Sequence, residues 1–219
     1  EAQLQINFEE IRARVNGFPS LREGEGAVCV VGPVGVGKST LIHLLAGHPL
    51  HTVEKTGRGL VLDAASQIPG VVISHSMMEA GTKTPAVWHD DAHKRILIDC
   101  PGWENSAEDM RTLFTWHALF SKYPKLQLLF VVDERIRFRG PALQVFENVS
   151  KLFPQEEQLH PAVSFVLMKQ RDLSLAKTLG AIESELAPTE DQKDRQRFKR
   201  LLKFLQEHPK RLAEVPYPS

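Results

Sequence analysis

Apolar and polar residues follow two different patterns along this chain. Short, nearly continuous apolar runs are bounded by glycine, proline or polar residues, as buried strands usually are, and they occupy residues 27–31, 96–98, 127–132 and 162–168. Elsewhere apolar residues recur every three or four positions, which predicts helices over residues 41–45, 106–120, 140–153, 174–186 and 189–206. Strands that alternate with helices predict an α/β fold with a mostly parallel central sheet and helices on both faces.

Both ends of the chain and its long central connection extend this pattern. Residues 4–15 have helical spacing, so we expect an N-terminal helix and lead-in over residues 1–25, followed by one domain over residues 26–219. This helix is expected to pack on the sheet edge or to serve in dimerisation. Residues 212–215 predict a last, edge strand. Residues 50–84 hold only short apolar pieces, and a connection of that length inside a domain is usually functional.

A polar turn over residues 89–94 joins two predicted strands, at residues 86–88 and 95–98. The turn contains His89, Asp90, Asp91 and His93, and this composition permits a metal pocket. An exposed turn offers no outer groups to orient metal ligands, so we interpret it as a solvated hairpin turn.

The composition of the chain limits the kinds of partner and the cellular compartment that we expect for this protein. The chain has 219 residues, enough for one well-packed domain, and its 27 basic residues balance 27 acidic ones, so no nucleic-acid partner is expected. Two cysteines, Cys29 and Cys100, lie beside predicted strands and favour a reducing, cytoplasmic location. The apolar runs are far too short to cross a bilayer. Because the chain begins with Glu1, we expect it to belong to a longer protein, and membrane association only through segments outside it.

The residues after the first strand match a phosphate-binding loop. The pattern G-x-x-x-x-G-K-[ST] stands between a predicted strand and a predicted helix, and its residues are Gly32, Pro33, Val34, Gly35, Val36, Gly37, Lys38, Ser39 and Thr40. Glycines let backbone N–H groups approach phosphate oxygens, and the positive end of the helix dipole points at the same anion. The lysine can reach the β- and γ-phosphates, and Ser39 can offer its hydroxyl to Mg²⁺. We therefore expect a Mg²⁺-dependent nucleoside-triphosphate site.

A second informative stretch is the strand that ends in Asp99-Cys100-Pro101-Gly102. A carboxylate at the end of a buried strand can hold Mg²⁺, through water, and the amide of Gly102 can face the γ-phosphate. The alternative is an ordinary strand followed by a Pro-Gly turn. The phosphate loop upstream favours the metal interpretation.

With these two motifs, the chain resembles P-loop GTPases of the translation-factor class, and more narrowly the septin and immunity-associated group, whose third motif is D-T-P-G. The resemblance covers residues 26–173. It implies a three-layer, G-domain-like P-loop fold, GTP or GDP as ligand, Mg²⁺ as cofactor and GTPase activity. It also implies a first-switch threonine that contacts Mg²⁺ and the γ-phosphate; Thr82 is our first choice and Thr84 our second. By this resemblance, the expected metal ligands are Ser39, Thr82 and Asp99. The expected catalytic residues are Lys38 and Thr82.

Two departures from the family pattern bear on base choice and rate. Met168 stands where the family has Asn or Thr before the lysine of its guanine-reading motif, and two residues instead of one separate Lys169 from Asp172. Asp172 still offers a carboxylate that can accept two guanine N–H groups. Trp103 stands where small GTPases carry a water-orienting Gln, so we expect slow intrinsic hydrolysis, assisted by a second copy or an activating protein. Residues Arg135, Arg137 and Arg139 are either a solvated loop or groups acting on a neighbour.

Three functions therefore compete. The first is a GTP-controlled switch that recruits an effector or forms a homodimer. The second is an AAA-like ATPase in which Asp133 and Glu134 supply the metal carboxylate and the water-activating group. The third is a scaffold that holds unhydrolysed nucleotide. The first is our working interpretation.

Overall fold

The computed structural model describes residues 8–55, 59–73, 82, 84–102, 109–133, 145, 148–149, 152–153, 161–170 and 192–216. In this part of the chain the helices are α1 (Phe8–Asn16), α2 (Lys38–Leu45), α3 (Asp109–Lys122) and α4 (Gln192–Glu207). The strands are β1 (Gly26–Val31), β2 (Leu50–Lys55), β3 (Gly59–Ala64), β4 (Ala86–Asp90), β5 (Arg95–Asp99), β6 (Leu126–Asp133), β7 (Val163–Gln170) and β8 (Leu212–Pro216). Two short 3₁₀ turns cover Asp91–His93 and Pro209–Arg211.

Six strands form the central sheet in the order β4-β5-β1-β6-β7-β8. Neighbouring strands run parallel, except for β4, which is antiparallel to β5. β1 lies between β5 and β6, so its carboxyl end stands beside theirs: Val30 pairs with both Asp99 and Leu129. In an open parallel sheet, ligands bind outside this edge. The order confirms the predicted mostly parallel α/β sheet, with the predicted edge strand β8 at one end.

Side chains of the central strands alternate between two apolar layers. Cys29 and Val31 of β1 face a layer that includes Trp116 of α3 and Leu205 of α4, whereas Val30 faces a layer that includes Ile42 of α2. This period of two is the one that an extended strand imposes. Helices therefore cover both faces, and the continuous apolar runs in the sequence reflect strands buried on both sides.

The connection between α2 and β4 holds a hairpin that the sequence pattern showed only in part. β2 and β3 pair antiparallel as a separate two-stranded sheet, with His51 opposite Asp63. The apolar piece at residues 60–62 marked β3, but β2 carries His51, Thr52, Glu54 and Lys55 and therefore has no apolar run. After the hairpin, Ile68 and Val71 are buried without forming a strand.

The N-terminal helix is anchored to α3. Phe8 and Phe114 meet edge to face with ring centroids 4.4 Å apart. Lys122 Nζ donates to the carbonyl oxygens of Asn16 and Phe18 at 2.9 and 2.8 Å, and Tyr123 Oη donates to Pro19 O at 2.8 Å. The partner of α1 is thus a helix that covers the sheet, and not the sheet edge that we expected.

Other expectations lie wholly or mostly outside the described residues. The predicted helix at 174–186 is among them, and that at 140–153 is described at isolated positions alone. Within the described part of the chain, none of the helices has the length and apolar character to cross a membrane.

Candidate functional site

The phosphate loop occupies the carboxyl edge of the sheet, between β1 and α2. Gly32 has φ +152°, and a Cβ built on it would lie 2.5 Å from Val131 O on the neighbouring strand. Gly37, the residue before α2, has φ +95°, in the left-handed region. At Gly32, the carbonyl oxygen of Val131 leaves no room for a side chain. At Gly37, the left-handed backbone conformation disfavours any residue with a side chain. The loop geometry therefore requires the glycines that defined the motif.

Lys38 begins α2 and turns back over the loop. Its side chain is largely buried, and Nζ donates to Pro33 O at 2.8 Å. Val36 is fully buried and anchors the loop in the layer around Ile42. The amino end of α2 and the lysine ammonium thus both place positive charge at the loop, which is the arrangement that attracts a phosphate.

Three oxygen-bearing side chains from distant parts of the chain meet beside Lys38. Ser39 Oγ donates to Asp99 Oδ2 at 2.7 Å, and Thr82 Oγ1 donates to the same carboxylate oxygen at 2.9 Å. The two hydroxyl oxygens are 3.4 Å apart. α2, the segment before β4 and the end of β5 contribute one residue each. In the sequence, Thr82 lies 43 residues and Asp99 lies 60 residues from Ser39, so only the fold brings the three side chains together.

The Asp99 carboxylate is fully buried, and its second oxygen, Oδ1, has no hydrogen-bond partner among the described residues. Burial raises the pKa of Asp99, and the Ser39 hydroxyl, the Lys38 charge and the Thr82 hydroxyl oppose this rise. A buried carboxylate oxygen without a partner is costly unless a cation or a donor satisfies it. Hydroxyl and carboxylate oxygens are the ligands that Mg²⁺ prefers, so this donor set fits the cofactor expected from the sequence.

Gly102 lies close to Lys38 and to the phosphate loop. A Cβ at this position would lie 2.8 Å from Lys38 Nζ and 2.7 Å from Val34 Cγ2. The absence of a side chain here lets the backbone after β5 pass directly over the lysine. The backbone of Gly102 therefore lies close to the lysine of the phosphate loop.

His43 is a site residue that the sequence reasoning missed. Its imidazole is fully buried; Nδ1 lies 2.8 Å from Ser39 O, and Nε2 accepts from the Ile68 amide at 3.3 Å. The acceptor at Nε2 assigns the proton to Nδ1, which donates to the carbonyl. A signal was present: residues four apart share one face of a helix, so His43 had to lie beside Ser39.

The structure describes the side chains of only some of the remaining predicted site residues. Thr40 is buried in α2, whereas Thr84 is exposed. Lys169 lies near the end of β7, two strands from β1, but its side chain is outside what the structure describes, as are Trp103, Asp172, Glu134 and the Arg135, Arg137 and Arg139 group. Asp133 ends β6, and its side chain is likewise not described.

Met168 lies near the end of β7, at the carboxyl edge of the sheet. Its side chain is buried, and its Cε atom would lie 3.3 Å from a Cβ on Gly37. Met168, which stands where the resemblance implies Asn or Thr, thus packs against the phosphate loop as an apolar contact.

Comparison with known proteins identifies the fold. No protein-family model matches the chain, and no curated protein sequence matches it. Among solved structures, it is similar to a dimerization-deficient mutant of Toc33 from Arabidopsis thaliana, with 17% identity, 95% of this chain and 75% of that chain covered, and a TM-score of 0.52. A second similar structure is the SRb-GTP/SRX complex of the signal recognition particle receptor from Chaetomium thermophilum, with 19% identity, coverage of 91% and 90%, and a TM-score of 0.44.

At these identities the likeness concerns architecture alone. The mostly parallel central sheet with its helices agrees with the first of these structures. The chain therefore has the GTPase-like P-loop nucleoside-triphosphatase fold.

Proposed function

We propose that this protein binds guanine nucleotide with Mg²⁺, hydrolyses GTP slowly and acts as a nucleotide-controlled switch or assembly module. The observation that carries the proposal is the convergence of Ser39, Thr82 and Asp99 beside Lys38, with a buried Asp99 oxygen that lacks a partner in the described chain. Ser39 and Thr82 would hold Mg²⁺ directly, and Asp99 would hold it through water. When bound, the ion neutralises negative charge that develops on the phosphates.

The chain's own residues account for nucleotide binding and for a response to it. Loop amides, Lys38 and the amino end of α2 bind the phosphates. Thr82 belongs to the segment before β4, so its position beside Ser39 couples that segment to the nucleotide site. Thr82 is favoured over Thr84 as the switch threonine because it is buried and bonded to Asp99, whereas Thr84 is exposed. Loss of the terminal phosphate would release this segment, which is how switch loops operate.

Guanine preference is supported by the GTPase-like fold and by Lys169 near the end of β7, three residues before the carboxylate of Asp172. The contact between Ser39 and Asp99 favours Asp99, and not Asp133, as the metal carboxylate. Slow hydrolysis follows from Trp103, which places an indole after Gly102 where small GTPases have an amide. The free, buried cysteines suit a cytoplasmic protein.

The deciding experiment is titration of the chain with fluorescent GTP and ATP analogues in Mg²⁺ and in EDTA. We expect Mg²⁺-dependent binding of GTP, loss of binding in Lys38→Ala, and loss of base preference in Asp172→Ala. Tight ATP binding that Asp172→Ala leaves unchanged would contradict the proposal and favour the ATPase with Asp133 and Glu134. Co-purification of unhydrolysed triphosphate, with no turnover, would favour the scaffold.

Nucleotide-dependent assembly has a separate test. The Toc33 structure is described as a dimerization-deficient mutant, so dimerisation is a property of that protein. We propose a homodimer or an effector complex for this chain in its triphosphate state. Light scattering with GDP and with a non-hydrolysable GTP analogue would show a mass increase with the analogue alone. An unchanged monomer in both states would leave effector binding as the output.

A further inference from the structure

Glu25, His89 and Asp91 form a group of potential metal ligands at the edge of the sheet opposite the phosphate loop. One carboxylate oxygen from each acid and one imidazole nitrogen lie within 4.8 Å of one another. Glu25 comes directly before β1, and the phosphate loop follows that strand's last residue, Val31. Six residues of strand span about 20 Å, so this group is independent of the nucleotide site.

The buried member of the group is oriented toward the other two. The Glu25 side chain is 5% exposed, and its Oε2 accepts from the backbone N–H of Arg22 at 2.8 Å. Its Oε1 lies 3.7 Å from His89 Nδ1 and 3.8 Å from Arg22 Nη1, distances too long for hydrogen bonds. A backbone donor thus holds one oxygen of the carboxylate, as outer groups hold metal-ligating carboxylates, and leaves the other facing the histidine.

His89 brings a buried ring nitrogen to the same group. Its Nδ1 atom is buried and has no hydrogen-bond partner among the described residues. In a tetrahedral site with bonds of about 2.0–2.2 Å, neighbouring ligand atoms lie about 3.4 Å apart. The observed 3.7 Å between His89 Nδ1 and Glu25 Oε1 is close to that separation. One ion between them would satisfy both atoms at once.

The group already attracts a cation from its own chain. Arg22 Nη1 lies 2.6 Å from Asp91 Oδ1, and the Arg22 side chain is 61% exposed. Its guanidinium therefore balances the two carboxylates and can move into solvent when another cation arrives. Asp91 is also exposed, so water can complete the coordination of an ion bound there.

We propose that Glu25, His89 and Asp91 bind a divalent cation of the Zn²⁺ class, in exchange for the Arg22 guanidinium. One imidazole nitrogen and two carboxylate oxygens are ligands that Zn²⁺ accepts and that Mg²⁺, which prefers oxygen alone, does not favour. The bound ion ties the turn after β4 to the residues that lead into β1. This inference does not depend on the proposed nucleotide function.

The test is calorimetric titration of the tag-free, chelator-treated protein with Zn²⁺ in excess Mg²⁺. His89→Gln is expected to weaken binding by about 10- to 100-fold or more, since it removes a direct ligand. His93→Gln is the matched control: His93 lies four residues after His89, in the turn that follows β4, is more exposed, and bonds Asp90 instead of this group. It should leave the affinity unchanged.

Arg22→Gln supplies a second, opposite prediction. Removal of the competing guanidinium should tighten Zn²⁺ binding several-fold, and this result does not depend on the folding of the His89 variant. Equal binding by the unchanged protein and His89→Gln would overturn the proposal. So would absence of saturable binding, or weaker binding in Arg22→Gln.

Discussion

Ser39 Oγ and Asp99 Oδ2 lie 2.7 Å apart, in a hydrogen bond that joins the first turn of α2 to the last residue of β5. The bond connects two motifs that are 60 residues apart in sequence. It also places a hydroxyl and a buried carboxylate where one Mg²⁺ ion can be held beside a bound phosphate.

Replacement of Asp99 by Asn should weaken metal-dependent nucleotide binding and stabilise the metal-free protein. We expect Mg²⁺-dependent nucleotide affinity to fall by about 10- to 100-fold, as for other groups that hold a metal through an intermediary. Burial raises the pKa of Asp99 above its ordinary value of 3.8. Such a group contributes stability at low pH, and the contribution is lost as pH rises through the folded-state pKa.

Asp99→Asn should therefore raise the metal-free unfolding temperature at pH 7, with a smaller gain toward pH 4. Thermal unfolding in EDTA at both pH values, together with nucleotide titration in Mg²⁺, checks both parts. Unchanged Mg²⁺ dependence would remove Asp99 from the expected metal ligands.

Thr82 and Thr84 form a matched pair of substitutions. Thr82 Oγ1 is bonded to Asp99 and is the proposed direct ligand of Mg²⁺, so Thr82→Ala should lower the Mg²⁺-dependent GTP affinity by about 10- to 100-fold. Thr84 is exposed, and Thr84→Ala should leave the affinity within about twofold. Titration with a fluorescent GTP analogue measures both. A larger loss in Thr84→Ala would reverse the choice of switch threonine.

Gly102→Ala should displace Lys38 and the loop residue Val34, whose Cγ2 would lie 2.7 Å from the added Cβ. The added Cβ would lie 2.8 Å from Lys38 Nζ, whose position must then shift. A displacement of about 1 Å at a reacting centre can cost about 100-fold in rate, so single-turnover GTP hydrolysis is the measurement. Gly26→Ala is the control, because its Cβ would meet nothing closer than Lys125 O at 3.7 Å. Equal rates in the two variants would contradict a close approach of Gly102 to the phosphate.

His43 should stabilise the site through both ring nitrogens. His43→Ala leaves the Ile68 amide and the Ser39 carbonyl without this partner, at a cost of about 1–3 kcal/mol in the free energy of unfolding. His43→Gln carries both a donor and an acceptor and should recover part of that loss. Urea unfolding of the two variants compares them directly. If Gln is no better than Ala, packing of the ring and not its hydrogen bonds matters.

Tyr123 should make the attachment of the N-terminal lead-in sensitive to alkaline pH. Burial, with a smaller contribution from Cys29, raises the pKa of Tyr123 to about 12. Because the folded-state pKa exceeds the ordinary value of 10.0, its contribution to stability is complete below pH 10 and is lost between about pH 10 and 12. Tyr123→Phe should reduce the fall in unfolding free energy between pH 9 and 11. An identical fall would show that Tyr123 does not titrate with folding.

Local patterns in the sequence predicted the fold class and the phosphate loop. Continuous apolar runs marked β1, β5, β6 and β7 because strands of a parallel sheet are buried on both faces. The loop could be read from Gly32 to Ser39 because phosphate binding requires glycines, a lysine and a hydroxyl at fixed spacing within one short segment. β2 was missed because its half-exposed residues show no apolar run, and α1 was assigned to the wrong neighbour because periodicity shows a buried face but not what covers it.

The sequence by itself therefore determined those features whose physical requirements lie within a few consecutive residues. Tertiary structure decided which distant residues meet: Thr82 rather than Thr84 beside Asp99, His43 between Ser39 and Ile68, and Met168 against Gly37. It also brought Glu25 within 4.8 Å of ligand atoms of His89 and Asp91, in a region that the sequence pattern indicated to be a solvated turn. Sheet order and strand register set these contacts, and both result from packing across the whole chain, which no local pattern records.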